Sequence, residues 1–512
     1  MFPARKSVGY STSQPEDILD RLDGYRSTRA IAFALLPVFA LILWPIGLSE
    51  NELIYFMLPL RRVAPERFSE FSAAFDASNA RFLWEYLVGY AVATFGYDLT
   101  HAVMRLTMAL TYAAAIGFLF NTLRLTAFDG LLVVGGFVVV GQDILGKEWL
   151  FQGVESKTFA YALIVVGLAF AIRGRPTIAT GTAVLATYLH FIVGGFWMIG
   201  MLAYDAIREL SLRRQARLLA AYAVLVCPLV AVIAYQQLWS LNVAPREPSA
   251  GYIYSIFRAP HHAAPFSSEL SLRYWAPGIV SLLALLLSFL YLARLQLAKS
   301  RPLIVWVAGL LCYLLVALGL SALDARTGNL GKFYLFRPSS LILFCAICAL
   351  IALFNDLDDL SGIKPHLRKA AFLIVVPVAL FGLVATKMSE ATSERRAISA
   401  DIDRMNAFIL ETTRPDDIVL VEPGGEYGFP KVALPIMIDR PTLVSFKFVP
   451  TNARDIYRWY DLLQYRQAVF SNGCRDIGRY PVRYLLMTQR ANLEPPCGKV
   501  VWHSTYFVLV EP

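Results

Sequence analysis

Charge is scarce in this 512-residue chain: Asp, Glu, Lys and Arg make up 17% of it, while 57% is hydrophobic. A water-soluble domain carries ~25% charged and ~45–50% apolar residues, so the excess apolar surface faces something other than water. That excludes an ordinary soluble domain and points to a bilayer. Histidine and cysteine are also few, with six of each. No His-Glu-x-x-His or His-x-His spacing occurs, so the histidines supply no metal motif. Glycines are present in EPGGEYGF (422–429) but at the wrong spacing for a phosphate loop, which argues against a nucleotide site. The first 29 residues are polar and lack the apolar centre of a cleavable signal peptide, so the first apolar run reads as a retained anchor.

What the chain has in abundance is apolar runs of roughly the ~20 residues a bilayer core requires. They fall near 30–48, 101–122, 128–145, 157–173, 176–189, 191–207, 217–236, 275–294, 302–322, 338–355 and 370–387. The fifth and sixth are short and meet at His190 and the Gly194/Gly195 pair, as broken helices lining a cavity do. The stretch 83–99, LWEYLVGYAVATFGYDL, is rich in aromatics and reads as a helix lying along the interface. The expected fold class is therefore an all-α polytopic membrane protein with about eleven transmembrane helices (30–387) and a first external loop at 49–100. A short cytoplasmic segment (1–29) precedes the helices and a small α/β domain (388–512) follows them.

Lys and Arg collect in the N-terminal segment and in the turns at Arg173/Arg175, 208–217, 293–301 and 364–369. With eleven spans all of these fall on one side, which the positive-inside rule makes cytoplasmic. Loops 49–82, 146–156, 237–274 and 323–337 and the tail then share the opposite side. The net charge of +9 is thus a topology signal. The basic residues form no single stripe, so nucleic acid is not an expected partner.

In the tail, Ile398, Ile402, Met405 and Ile409 recur at helical spacing until Pro415. DIVLVEP, PTLVSFKFVP, VRYLLMTQ, KVVWHS and YFVLVEP read as strands, and ARDIYRWYDLLQYRQAVF as a second helix. Cys227, Cys312, Cys345 and Cys348 lie within spans as small packing residues, the last two without further metal ligands despite their CxxC spacing. Cys474 and Cys497 fall in the tail on the oxidising side, where a disulfide between them is expected.

The polar residues of interest gather on that same side. GLSENELIYFMLPLRRVAPERF (47–68) follows the first span with Glu50 and Glu52, and Asp76 comes later in the loop. A carboxylate held there among Tyr55, Phe56 and Trp84 is partly desolvated, which raises its pKa and suits it to general-base work. Glu50 reads as a helix-end residue; Glu52, on the face of Tyr55, is open to a functional or a structural role. In GKEWLFQGVESKTFAY (146–161), Lys147, Glu148, Glu155 and Lys157 alternate in sign and either pair with one another or grip a phosphate or sugar hydroxyls, with Trp149 and Phe151 for stacking. SIFRAPHHAAPFSSE (255–269) places His261 and His262 between prolines near Arg258, for phosphate or acid–base use or a structural role. GNLGKFYLFRPSS (328–340) offers Lys332 and Arg337, cations that either snorkel or grip a phosphate. His190, in TYLHFIVGG, sits where it could face the same cavity.

This layout of many spans, an acidic first external loop and a soluble C-terminal domain resembles the GT-C superfamily of membrane glycosyltransferases. More narrowly, NELIYFM (51–57), FRAPHHAAPF (257–266), FRPSS (336–340) and DRPTLVSFKFVP (439–450) look like a group of uncharacterised bacterial integral-membrane proteins of GT-C-like architecture. The resemblance implies transfer of a sugar from a polyprenyl-phosphate-linked donor to an extracytoplasmic glycan, lipid or protein, in the bacterial inner membrane with the tail periplasmic. It would put the catalytic acid at Glu52, with Asp76 second, and phosphate binding at Arg337, with Lys332 or Arg258 assisting. The family's acid is more often Asp, frequently in an Asp-Asp or Asp-Glu pair, where this chain reads Asn51-Glu52. No cofactor is certain: a divalent metal stays open but is not indicated. Two other readings stay open: a non-catalytic assembly factor of a glycan export system, and a transporter of a lipid-linked substrate.

Overall fold

The computed structural model describes residues 24, 26–44, 50–65, 79–238, 243–295, 300–357, 364–390, 393–424, 440, 442–446, 449–489 and 494–512. A bundle of apolar helices is followed by a small α/β domain. In chain order the bundle comprises α1 (Thr28–Ile42), α2 (Glu50–Val63), α3 (Phe82–Thr122), α4 (Ala127–Val139), α5 (Ser156–Ile172), α6 (Pro176–Leu189) and α7 (Phe191–Arg208). It continues with α8 (Leu212–Leu238), α9 (Leu272–Arg294), α10 (Arg301–Leu323), α11 (Ser339–Asp356) and α12 (Lys364–Glu390). Among the described residues seven helices are long and apolar enough to cross a bilayer, and α1, α4 and α5 are shorter apolar helices. The chain is a multi-pass membrane protein.

Local chemistry starts these helices where they start. The Ser27 hydroxyl accepts from the Ala30 amide at 3.2 Å to cap α1, and Thr126 and Asp129 form a reciprocal capping box for α4. Pro176 opens α6, where its missing N–H costs nothing. Prolines lie inside α1, α2, α8, α9 and α12, as apolar membrane helices tolerate more often than soluble ones.

The interface stretch and the second span join in one 41-residue helix, α3, interrupted at Gly96 (φ 77°, ψ 173°). An unbroken helix of that length would run about 60 Å, twice the ~30 Å hydrocarbon core, so the interruption lets the first part leave the direction of the second. Leu87, Phe95, Leu106 and Leu110 are exposed along α3, as a lipid-facing stripe would be. Helix α2 packs on the first part of α3: the Trp84 indole donates to the Tyr55 carbonyl at 2.9 Å, and Arg62 Nε donates to Glu85 at 2.5 Å.

The bundle core is aromatic. Phe39, Tyr112, Phe137, Phe151 and Phe344 sit with ring centroids 5.0–5.9 Å apart. Phe151 is not on a helix: it plugs the 141–155 loop into the core. At the far end Arg173 donates to Thr122 and Asn121 at 2.8 and 2.7 Å, and Arg368 donates to buried Asp129 at 2.8 Å.

The C-terminal domain is a four-stranded sheet of β1 (Ile418–Val421), β2 (Val482–Thr488), β3 (Lys499–His503) and β4 (Phe507–Glu511) in the order β1-β2-β4-β3. The β1/β2 pair is parallel and the others antiparallel. Alternate residues face two helices. Val419, Val421, Leu486 and Leu509 meet Ile398, Ile402, Met405 and Ile409 of α13 (Ser393–Thr412). Ile418, Leu420, Leu485 and Val510 meet Trp459, Leu463 and Val469 of α14 (Ala453–Ser471). The predicted strand over 441–450 is not one in its described residues. There the carbonyls of Ser445 and Val444 are taken by Trp459 Nε1 at 2.8 Å and Arg466 at 3.3 Å, so no ladder needs them. Cys474 and Cys497 are disulfide-bonded with Cα atoms 5.8 Å apart. The domain docks on the loop before α9, where Phe257 packs against Phe446, Trp459 and Tyr460.

Candidate active site

Four loops and the α2 helix meet at the end of the bundle that carries the C-terminal domain. The 141–155 loop is fixed from within: Gln142 Oε1 accepts from the Leu150 and Phe151 amides at 3.1 and 2.9 Å, and Ser339 Oγ from the Ile144 and Leu145 amides at 2.9 and 2.8 Å. Gly146 has φ 86° and lies against Phe336, a position that admits no side chain. These ties hold Glu148, Trp149 and Glu155 in place.

Glu148 is the hub. It is buried, 2.9 Å from Lys157 Nζ, 3.3 Å from Arg337 Nε and 3.9 Å from His262 Nδ1. Burial alone would raise its pKa, but Lys157 and Arg337 together hold it well below the usual carboxylate range. Lys157 also lies 3.6 Å from Glu155 and 4.1 Å over the Trp149 ring. The Arg337 guanidinium covers the Tyr334 ring at 4.6 Å, and its Nη1 donates to His190 Nε2 at 2.9 Å. His262 Nδ1 contacts the Gly146 carbonyl at 2.6 Å. A carbonyl can only accept, so Nδ1 carries the proton, and burial lowers the His262 pKa to about 3, which keeps the ring neutral.

Two buried atoms in this group have no hydrogen-bond partner: Glu155 Oε1 and His190 Nδ1. With Nε2 of His190 accepting from Arg337, its Nδ1 is a donor, so the cluster presents one unmet acceptor and one unmet donor. Unsatisfied buried polar groups are costly and mark places where a ligand or catalysis accounts for them. Glu155 has its pKa raised, first by burial and in part by the nearby charge of Glu148, with Lys157 opposing. A carboxylate whose pKa is raised is a stronger base than an ordinary one.

Glu52 lies beside this group but is fully engaged. It is 0% exposed, takes Arg105 Nη2 on both oxygens at 2.6 Å and accepts the Val154 amide at 2.9 Å, with His101 Nε2 at 3.3 Å. Burial would raise its pKa, but His101 and Arg105 outweigh that and bring it down to about 2. Its geometry pins α2, α3 and the loop carrying Glu155 together.

Of the other residues singled out in the sequence, His261 stacks on His262 with ring centroids 4.1 Å apart. Arg258 lies over Phe446 at 5.5 Å, on the domain side of the site. Lys147 is exposed and covers Tyr274 at 5.4 Å. Lys332 is half-buried, its pKa lowered by burial with Asp324 opposing. Asp76 lies outside the described residues, as does the side chain of Glu50. The structure thus gathers Lys157, Arg337, His190 and His262 around Glu148 and Glu155. It adds Tyr55, which feels the charges of Glu155, Lys157 and Arg337, and Tyr161, whose hydroxyl donates to the Arg337 carbonyl at 2.8 Å. Sequence reading named Tyr55 only as a neighbour of Glu52; Tyr161, mid-helix in an apolar run, gave no signal. Among the described residues no group of three His, Cys, Asp or Glu converges as a metal site requires.

Beside Arg337 a small, partly open pocket is lined by Tyr161, Phe196, Trp197, Tyr313 and Tyr334, with Arg337 the one charged residue in its wall. Fold and site define a polytopic membrane protein with a buried ion-pair cluster next to an aromatic, apolar cavity. No family model matches the sequence, and no curated protein does. Among solved structures, ArnT from Cupriavidus metallidurans in the apo state aligns over 94% of this chain and 96% of that one, at 12% identity and a TM-score of 0.40. So loose a likeness assigns neither family nor activity.

Proposed function

We propose that the protein is a GT-C-type glycosyltransferase that takes a sugar from a polyprenyl-phosphate-linked donor and passes it to an extracytoplasmic acceptor, with the C-terminal domain periplasmic. The observation that carries this reading is the orphaned Glu155 Oε1 beside Lys157, in a buried ion-pair cluster whose Arg337 also lines an apolar pocket. A lipid-linked sugar phosphate has the three matching parts: an apolar tail, an anionic phosphate and a ring of hydroxyls.

In this scheme Arg337 and Lys157 receive the donor phosphate. Arg337 spends Nε on Glu148 and Nη1 on His190, which leaves Nη2 for an anion. Glu155 takes the proton from the acceptor hydroxyl as its oxygen bonds to the anomeric carbon. The bond from that carbon to the phosphate breaks, and the cations stabilise the charge that the phosphate acquires. Glu52, held at about 2, is a weak base, and its part is to position the Glu155 loop through Val154. This moves the base from Glu52 to Glu155 relative to what the family resemblance implies.

The test is binding and turnover of a synthetic polyprenyl-phosphate sugar by the purified protein. Glu155→Gln should bind the donor but lose transfer by a factor of at least about 100, the usual worth of a positioned base. Arg337→Ala should lose donor binding. Folded protein that neither binds nor turns over any of a broad donor panel would refute the transferase reading.

A further inference from the structure

The C-terminal domain carries a second polar concavity, away from the buried cluster. Helix α14 buries Ile456, Trp459 and Leu463 against the sheet and turns Arg454, Arg458 and Asp461 outward, spaced at three and four residues along one face. Arg246, from the loop before α9, closes one side with a two-pronged pair to Asp461 at 2.7 and 2.9 Å, and its guanidinium covers Tyr457 at 5.2 Å. Arg479 lies over Tyr480 on the other side. The concavity is lined by four arginines and a single carboxylate. It continues into a shallower depression that shares Asp461 and Arg479 and adds Gln464.

The charge is unbalanced in a way the fold does not need. Asp461 is occupied by Arg246, and neither Arg454 nor Arg479 pairs with a carboxylate among the described residues. Arg454 sits in the first turn of α14, where the helix dipole disfavours a cation, and it is four residues from a second one, Arg458. Neither placement helps folding. Arginines interleaved with phenol rings in a concave wall match a polymer that alternates carboxylate or phosphate with sugar rings: the cations take the anions and the ring faces take the sugar C–H surfaces.

We propose that this groove binds an acidic saccharide. The proposal deepens the transferase reading by giving the acceptor's chemistry, and it can fail separately from it because binding here needs no donor.

The test measures binding of an oligogalacturonate of defined length to the full-length protein in nanodiscs, without any lipid-linked sugar. Controls are a neutral oligosaccharide of equal length and vesicles containing anionic phospholipid. Expected results are preference for the acidic chain, affinity falling with salt, and at least tenfold weaker binding in Arg454→Ala/Arg479→Ala at an unchanged melting temperature. Arg454→Glu, which gives Arg458 an i,i+4 partner of opposite charge, should weaken it further. Equal binding of the neutral chain, or no loss in the variants, would overturn the proposal. So would arginine-dependent binding of the vesicles alone, which would make the groove a membrane contact. Any of these leaves the Glu155 and Arg337 results untouched.

Discussion

Arg105 is an arginine in an apolar helix, and it spends every nitrogen. Nη2 binds Glu52, Nη1 donates to the Leu43 and Trp44 carbonyls at the end of α1 at 2.8 and 3.1 Å, and Nε contacts His101 at 2.8 Å. Removing one partner of such a buried pair leaves an uncompensated charge, at a cost of roughly 3–5 kcal/mol, whereas apolar replacement of both is close to neutral. Arg105→Leu should therefore lower the melting temperature of the detergent-purified protein sharply, and adding Glu52→Leu should recover much of the loss. A double variant as unstable as the single would show that Arg105 acts through the carbonyls and not through Glu52. A second residue-level expectation concerns pH. His262 has its folded pKa lowered to about 3 from 6.5, so between those values the unfolded state binds the extra proton. Its contribution to stability is whole above 6.5 and is lost as pH falls toward 3; melting curves across that window should slope less in His262→Gln than in the parent. Arg105 is an ionisable residue inside the apolar run 101–122, and Glu52 a polar residue among aromatics. Their pairing crosses 53 positions, and no spacing rule reaches that far. Glu155 was visible only as part of a run of alternating charge; what distinguishes it, an oxygen left without a partner, is a property of packing.

At the scale of elements, α3 shows how two glycines in one helix do different work. Gly96 supplies a left-handed backbone conformation in open space, with no atom near where a Cβ would project. Gly96→Ala should cost about 1–3 kcal/mol of backbone strain and little else, since φ 77° with ψ 173° is a region only glycine adopts readily. Gly89 has helical backbone but faces the Pro59 carbonyl and the Val63 side chain, so a Cβ there would push α2 off α3. Gly89→Ala is expected to reduce donor turnover, since α2 carries Glu52 and through it the Glu155 loop, while Gly96→Ala should melt lower yet turn over normally. Equal turnover in both would mean that α2 does not set the site. Periodicity located these helices well because a lipid-facing stripe and a packed face leave the same apolar signal. It assigned 83–99 an interfacial helix but could not say that this helix runs on into the next, because a positive φ at one glycine is invisible to hydropathy. PTLVSFKFVP misled for a related reason: its alternation is that of a strand, but Trp459 and Arg466 claim its carbonyls from α14.

Over the whole molecule, hydropathy foretold a helical bundle with a small mixed domain after it, since lipid and water select different compositions. The docking of the two was not legible. It rests on Phe257 meeting Phe446, Trp459 and Tyr460, and on the Ala250 amide donating to the Tyr457 hydroxyl at 3.1 Å, contacts that bridge some 200 positions. The domain and the bundle are nevertheless stabilised by different means. The bundle has its aromatic core and lipid, while the small sheet has two helices and one disulfide closing a segment of 23 residues. Chain-entropy arguments give such a loop about 3 kcal/mol, a large share of what a domain of this size has in hand. Cys474→Ser/Cys497→Ser should therefore raise amide exchange across β2, β3, β4 and α14 and leave α4, α5 and α11 as protected as before. Because Phe257 leads directly into the segment that carries His262, loosening the domain should also weaken the Gly146–His262 contact and reduce transfer without abolishing donor binding at Arg337. Hydrogen exchange read by mass spectrometry, alongside donor binding on the same preparation, separates the outcomes: uniform loss of protection through the bundle would mean that the two parts unfold as one.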